Sequence, residues 1–282
     1  MRSPEIIPSG FACGAELRGI DLAAPGPFMA EALQQALQEH LAVVVRDRAL
    51  DDAQLLVFAG LLGTPEEQGI SVLTGDAAGA TAAQMVASSA HAPARPTGSL
   101  GGDAGIWQSD LAYRLRPCSI AILHARALAG DCGTVAFANQ YQAYDTLPAE
   151  LKARVEGRML LHDESHDNEG RLRQGHEDIS DPRESTGAQH RIVRTHPETR
   201  RKALYLGRRR NAWVIGLPLD ESEALLDALW AHATQPALQW RHAWRSGDTL
   251  LWDNRCLLYC HDVAARTGRE FLRVQLRGEP PR

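Results

Sequence analysis

One short stretch of the sequence comes close to a metal-binding motif. Residues 106–113 read IWQSDLAY and place Gln108 two residues before Asp110. On a strand, two such side chains point to the same face. A histidine at position 108 would complete a His-x-Asp pair, and imidazole and carboxylate both bind first-row transition metals. The glutamine therefore raises the question of whether this site still holds a metal.

Two arginines near the end of the chain indicate the chemistry of a ligand. Arg269 and Arg273 lie four residues apart in REFLRVQLRG, residues 269–278, which we predict to be the last strand. Their side chains should therefore share one face. A guanidinium offers a bidentate fork to a carboxylate. We therefore favour the binding of a small acidic substrate over ion pairs with neighbouring carboxylates.

The composition is that of an ordinary folded protein. Of the 282 residues, 44% are hydrophobic and 23% are charged, and the net charge of −5 argues against a general nucleic-acid-binding surface. No apolar run reaches the roughly 18 residues that a membrane span needs, and the first residues lack the apolar core of a signal peptide. The five cysteines are odd in number and mostly scattered, which favours a reduced, cytoplasmic protein.

Apolar residues at helical spacing predict a helix over residues 28–41. A second helix is expected over residues 51–63, which begin with an Asp-rich N-cap signal and end at Gly63, and a third over residues 219–235, with Asp220 as its expected cap. The run AVVVR, residues 42–46, follows the first helix directly and predicts a buried strand.

From residue 119 onward the sequence predicts mainly short strands and one further helix. The helix is expected over residues 141–157, and the predicted strands include residues 119–128, 134–140, 159–165, 238–244 and 248–263. Many short strands with a few helices are typical of a mainly β fold with helices (α+β), either a sandwich or a barrel with a helical jacket.

Two segments lack clear periodicity. Residues 64–105 are rich in Gly, Ala, Ser, Thr and Pro, and residues 166–189 are polar and charged. Long segments of this kind often cover a pocket. No linker or internal repeat divides the chain, so we predict a single domain over residues 1–282 with these two segments as pocket covers.

A series of motifs resembles one enzyme family over nearly the whole chain. The matching stretches are GAELRGIDL, VVVRD, RTHPETRRKALYLG, VIGLP, HATQP and GDTLLWDNRC. Together with the order of the three candidate segments, they resemble the taurine and 2,4-dichlorophenoxyacetate dioxygenases. The resemblance implies a double-stranded β-helix, also called a jelly roll, whose family members use Fe(II) and 2-oxoglutarate.

The resemblance also assigns the family's facial triad, His-x-Asp and a distal His, to positions in this chain. The first His falls on Gln108, the Asp on Asp110, and the distal His on Tyr259. A neutral amide is a weak ligand, and a phenol must lose a proton with a reference pKa of about 10. We therefore expect poor binding of Fe(II). His261 shares a strand face with Tyr259 and is a weak substitute, as are Gln108 and Tyr259 themselves.

The remaining assignments concern the cosubstrate and the substrate. The family's threonine for 2-oxoglutarate falls on Val135, although a slip of one residue would place Thr134 there. The arginine for the same carboxylate falls on Arg269, and a second arginine, which often meets the substrate's acid group, falls on Arg273. The threonine position thus departs from the family as the two metal positions do.

These departures lead to three functional hypotheses. The first choice is an iron-independent enzyme without a cofactor, in which Asp110, Tyr259 and Gln108 serve an elimination, isomerisation or hydrolysis of a small acid. The alternative is an Fe(II)- and 2-oxoglutarate-dependent dioxygenase with an unusual metal site. The third is a non-catalytic binding or assembly protein. No nucleic-acid or membrane partner is expected, and the sequence is compatible with a homo-oligomer.

Overall fold

The structure is a computed structural model that describes residues 4–46, 49–75, 83–86, 106–128, 133–166, 172–207, 210–261 and 269–282. Within these ranges the chain forms five α-helices, sixteen β-strands and two short 3-10 helices. None of the described helices is both long enough and apolar enough to cross a bilayer.

The helices are α1 (Pro27–His40), α2 (Asp52–Leu62), α3 (Gln140–Asp145), α4 (Ala149–Val155) and α5 (Leu219–Ala233). The strands are β1 (Glu5–Pro8), β2 (Ala15–Arg18), β3 (Ala42–Val45), β4 (Pro65–Gly75), β5 (Ala83–Val86), β6 (Cys118–Leu128), β7 (Thr134–Asn139), β8 (Met159–Leu161), β9 (Gln189–Arg191), β10 (Val193–Thr195), β11 (Lys202–Leu204), β12 (Trp213–Val214), β13 (Gln239–Ala243), β14 (Thr249–Asp253), β15 (Leu257–His261) and β16 (Arg269–Arg277). The 3-10 helices are Pro182–Glu184 and Pro236–Leu238.

Eight strands form the large sheet, in the order β1-β2-β3-β14-β6-β16-β4-β5. Its central pairs are antiparallel: β14 pairs with β3 and β6, and β16 pairs with β6 and β4. Strand β3 is buried at all four of its residues, AVVV. A continuous apolar run of this kind suits a strand that is covered on both faces.

Helices α1 and α2 cover one face of the large sheet. Leu33 and Leu37 of α1 and Phe58 of α2 pack in one buried cluster with Leu251 and Val274 of the sheet. Helix α2 begins with a capping box between Asp51 and Gln54, which satisfies backbone donors that its first turn leaves open. The apolar stripes predicted from the sequence therefore face the sheet.

A smaller sheet, β13-β7-β15, packs against the other face of the large one. Phe137 and Tyr259 of the small sheet share a buried cluster with Trp252 and Phe271 of the large sheet. The rings of Phe137 and Trp252 lie 5.5 Å apart, within the range of favourable aromatic pairs. This mostly sheet, mixed α/β arrangement is consistent with the predicted jelly roll.

A second helical layer packs beside the small sheet. Leu225, Leu226 and Leu229 of α5 are buried in a cluster that also contains Leu160 of β8 and Val214 of β12. Strands β12, β8 and β9 form a three-stranded sheet, and β10 pairs with β11. These elements border the segment that carries Asp110, since Gly207 and Ala188 both hydrogen-bond to it.

The prediction that residues 64–105 form an irregular excursion is wrong at its start. Strand β4 occupies Pro65–Gly75 and pairs along almost its whole length with β16. The pairing joins segments about two hundred residues apart, so local composition does not reveal it. Within the rest of this segment the structure describes only β5, and the remainder of the proposed cover lies outside the described residues.

Three element boundaries also differ from the expected ones. The helix predicted over 141–157 is two helices, because Pro148 lacks an N–H donor and precedes α4 as its cap. Asp220 lies inside the first turn of α5, and Pro218 occupies the cap. The strand predicted over 248–263 is divided into β14 and β15 by a turn at residues 254–256.

Candidate metal and 2-oxoglutarate site

Asn254 fixes the segment that carries Asp110. The side chain of Asn254 accepts a hydrogen bond from the Asp110 backbone N–H at 2.8 Å and donates to the Asp110 carbonyl at 3.0 Å. Its amide also donates to the Cys118 carbonyl at 2.9 Å. Asn254 is fully buried in the turn between β14 and β15. This turn therefore sets the position of Asp110 relative to β15.

Gln108 and Tyr259 are direct neighbours across two chain segments. They form an antiparallel bridge and exchange two backbone hydrogen bonds, each of 2.9 Å. Residues opposite each other in such a pair present their side chains on the same face. The two positions that the family resemblance assigns to imidazole ligands therefore lie side by side, and both are buried.

The Asp110 carboxylate contacts two of the other predicted site residues. The Tyr259 hydroxyl donates a hydrogen bond of 2.7 Å to Asp110 Oδ1. Arg273 Nη1 lies 3.9 Å from the same oxygen. Asp110 is 6% exposed and Tyr259 is 2% exposed. Charge-assisted hydrogen bonds to a buried carboxylate are among the stronger ones in proteins, so this contact holds both side chains in place.

The second oxygen of this carboxylate is available for a ligand. Asp110 Oδ2 is buried and accepts no hydrogen bond from the part of the chain that the structure describes. A buried carboxylate oxygen normally has a partner, and a metal ion is one partner that would satisfy it. Gln108 and Tyr259 add an amide and a phenol on the same side. The residues therefore fit a divalent cation, with oxygen donors in place of the family's two imidazoles.

His261 lies next to Tyr259 at the end of β15. Its ring packs edge-on against the Tyr259 ring, with 5.4 Å between the centroids. This agrees with the expectation that positions 259 and 261 share a strand face. His261 is half-buried at the end of β15.

The two candidates for the cosubstrate threonine lie on opposite faces of β7. Val135 pairs with His261, and it is buried in the same cluster as Phe137 and Tyr259. Thr134 is the next residue along the strand, so its side chain points to the other face. The aligned position on the site face is thus a valine, which has no hydroxyl to offer.

Arg269 and Arg273 lie on one face of β16, as predicted. Phe271, between them, belongs to the core that separates the two sheets, and side chains at alternate positions share that face. Arg269 is 8% exposed, whereas the Arg273 side chain is 16% exposed and reaches Asp110. The structure thus brings Asp110, Tyr259 and Arg273 together directly.

A buried ion-pair network behind the site was not predicted from the sequence. Burial alone would raise the pKa of Asp253, but the charge of Arg255 and hydrogen bonds from His196 and Arg255 hold it well below its usual range. His196 Nε2 lies 3.0 Å from Asp253 Oδ2, and its Nδ1 accepts from the backbone of Glu198 and Thr199. The ring nitrogens are thus both engaged, which indicates a structural role. In the sequence, this network was indicated by the motifs RTHP, residues 194–197, and WDNR, residues 252–255.

Known proteins resemble this chain both in sequence and in fold. The chain is 31% identical, over 90% of its length and 88% of the relative's, to an (S)-phenoxypropionate/alpha-ketoglutarate-dioxygenase of Sphingobium herbicidovorans. Its fold matches the crystal structure of a taurine dioxygenase from Burkholderia xenovorans with a TM-score of 0.76, at 25% identity over 99% of this chain and 93% of the other. It also matches AAD-2 in complex with Mn(II) and N-oxalylglycine, with a TM-score of 0.78, at 26% identity over 99% of both chains.

These comparisons contradict the prediction that the protein uses no cofactor. Its relatives are named for their dependence on alpha-ketoglutarate (2-oxoglutarate), and one structural neighbour contains Mn(II). They also give no support to iron-independent chemistry, and they favour the dioxygenase alternative instead. The prediction of no cofactor rested on Gln108 and Tyr259 alone, whereas the similarity to these dioxygenases extends over nearly the whole chain.

A family model covers almost the whole chain. The model described as "Taurine catabolism dioxygenase TauD, TfdA family" matches residues 5–275. The match includes both halves of the candidate site, from Gln108 and Asp110 to Tyr259 and Arg273. It agrees with the resemblance seen in the motifs and with the fold. The chain therefore belongs to the TauD/TfdA dioxygenase family.

Proposed function

We propose that this protein is a metal- and 2-oxoglutarate-dependent dioxygenase that acts on a small carboxylic acid. The observation that carries the proposal is the buried Asp110 carboxylate, with Oδ2 open and Oδ1 held by Tyr259 and near Arg273. In a pocket without a function, or with only a structural role, we would expect either a hydrogen-bond partner for this oxygen or no carboxylate at this position. The reason is that an unpaired buried polar atom costs about 1–3 kcal/mol.

The metal centre is built around Asp110. Asp110 Oδ2 is its anionic ligand, and Gln108 and Tyr259 are the neighbouring donors, with His261 as a further candidate. When bound, the metal supplies the redox chemistry by which 2-oxoglutarate and O₂ are activated. The oxygen donors of Asp110, Gln108 and Tyr259 suit harder cations such as Mn²⁺ as well as iron, and titration with each metal ion measures the preference.

The two arginines bind different acid groups, one on 2-oxoglutarate and one on the substrate. Arg269 is buried at the start of β16 and binds the distal carboxylate of 2-oxoglutarate. Arg273 is more exposed, lies next to Asp110 and pairs with the acid group of the substrate. Val135 offers no hydroxyl on the site face, so the cosubstrate depends more heavily on Arg269 than a threonine-containing site would.

The surrounding architecture follows from the same proposal. The chain is a single double-stranded β-helix domain over residues 1–282 with a helical jacket. Strand β4 removes residues 65–75 from the predicted pocket cover, and most of the rest of the 64–105 segment lies outside the described residues. The protein acts in the cytoplasm, and its relatives' substrates support a small acidic molecule as the partner.

Turnover of 2-oxoglutarate to succinate tests this function. The wild-type protein should release succinate in the presence of Fe(II), O₂ and a member of a panel of small aryloxy, aliphatic and sulfonic acids. Asp110→Ala should abolish release, while Arg273→Ala should raise the KM for the acid more than the KM for 2-oxoglutarate. Tight binding of an acid by both wild type and Asp110→Ala, without succinate from either, would favour a binding protein instead.

A further inference from the structure

We infer that Tyr259 binds the metal through its phenolate oxygen and thereby replaces an imidazole of the family with a second anionic ligand. The inference rests on the proposed function, because it requires a metal at Asp110. It assigns Tyr259 a direct role at the metal rather than the role of a proton donor to the carboxylate.

The first argument is the position of the phenol. Tyr259 Oη already contacts the carboxylate that would carry the ion, at 2.7 Å from Asp110 Oδ1. The ring is fixed by the backbone bridge to Gln108 and by contact with Trp252, 5.1 Å away between centroids. The open oxygen Oδ2 belongs to the same carboxylate as Oδ1, so an ion bound to this carboxylate would lie close to the hydroxyl.

The second argument concerns charge. When the metal–oxygen bond forms, the Tyr259 O–H bond breaks and the proton leaves to solvent, with no change in the oxidation state of the metal. A bound cation favours such a loss, as a zinc ion does when it lowers the pKa of its bound water to about 7. The ligand set then carries two negative charges from Asp110 and Tyr259. Arg273, 3.9 Å from Asp110, offsets part of the added charge.

The consequence is a spectroscopic signature that activity measurements do not provide. Phenolate is a hard anionic oxygen donor that supports ferric iron, as tyrosine does for haem iron in catalase. A ferric–phenolate complex absorbs visible light by charge transfer from the ligand to the metal. A centre held by carboxylate, amide and water alone lacks that band.

The test compares ferric iron bound to the wild type, Tyr259→Phe and Tyr205→Phe. Tyr205 is a suitable control because it is a buried tyrosine near the same segment, where burial raises its pKa to about 12, whereas the hydroxyl that donates to Asp110 Oδ1 is that of Tyr259. We expect the band in the wild type and in Tyr205→Phe, and its loss in Tyr259→Phe. Iron content is measured in parallel, so that loss of the band is distinguished from loss of the metal.

A second variant guards against a folding defect. Tyr259→His restores a family-like imidazole, and it should retain iron while losing the phenolate band. A band that persists in Tyr259→Phe, or that is absent from iron-loaded wild type, would overturn the inference. In that case the proposed function stands as long as Fe(II) and 2-oxoglutarate still bind. Failure of the wild type to bind any iron would overturn both.

Discussion

Replacing Asn254 with alanine should weaken both the fold and the metal site. The Asn254 amide satisfies three backbone groups, the N–H and carbonyl of Asp110 and the carbonyl of Cys118, at 2.8–3.0 Å. Each group left buried without a partner costs about 1–3 kcal/mol. Water that enters the cavity recovers part of this, so we expect the free energy of unfolding to fall by about 3–5 kcal/mol.

The same substitution should reduce metal affinity, because Asn254 positions Asp110 relative to Tyr259. Loss of a group that orients a ligand typically costs about 10–100-fold in affinity, and we expect a loss of that size. The assays are urea unfolding followed by tryptophan fluorescence, and Fe(II) titration under conditions in which the variant is folded.

Asn139→Ala provides the matched control for this prediction. Asn139 is also a buried asparagine that holds backbone groups: it donates to the Ala12 carbonyl at 2.7 Å and accepts from the N–H groups of Tyr141 and Gln142. Its loss should destabilise the protein without changing metal affinity. Equal metal affinity in the two variants would refute the argument that Asn254 acts on the site.

Three other outcomes follow from the structure. Gln108→His combined with Tyr259→His restores both family ligands at neighbouring positions, so Fe(II) should bind at least about 100-fold tighter in direct titration; unchanged affinity would argue against a metal at these positions. Arg269→Lys keeps the charge but loses the bidentate fork, so the Kd for 2-oxoglutarate, measured by calorimetry, should rise about tenfold. The depressed pKa of Asp253 contributes stability above its unfolded pKa of about 4, which is lost as pH falls below that value. Asp253→Asn should therefore lose most stability near neutral pH, and its deficit in urea unfolding should shrink in acid; a deficit that is constant with pH would contradict the ion-pair account.

The elements with strong local signals could be predicted from the sequence. Helices α1, α2 and α5 have apolar stripes that pack on a sheet, and their ends fall within a few residues of the predicted ones. Strand β4 was missed because its stability comes from pairing with β16, far along the chain, rather than from its own alternation. The break at Pro148 was visible in the sequence but was outweighed by the helical pattern on both sides.

The candidate site was predictable only in part. Its members could be named from family motifs, and the structure does join Asp110 to Tyr259, which lies 149 residues away in sequence. What the motifs could not provide is the arrangement of the two oxygens of Asp110, one held by the phenol and one open. That detail supports the proposal of a metal site with oxygen donors. Asn254, which fixes the arrangement, was missed because its role depends entirely on tertiary contacts.

The most direct test of a working metal and 2-oxoglutarate centre is an anaerobic titration of the purified protein with Fe(II) and 2-oxoglutarate. Chelation of 2-oxoglutarate to iron gives a weak visible charge-transfer band. We predict a band that saturates in the wild type and is absent in Asp110→Ala. A folded wild-type protein that shows no band at an excess of both ligands would contradict the central claim.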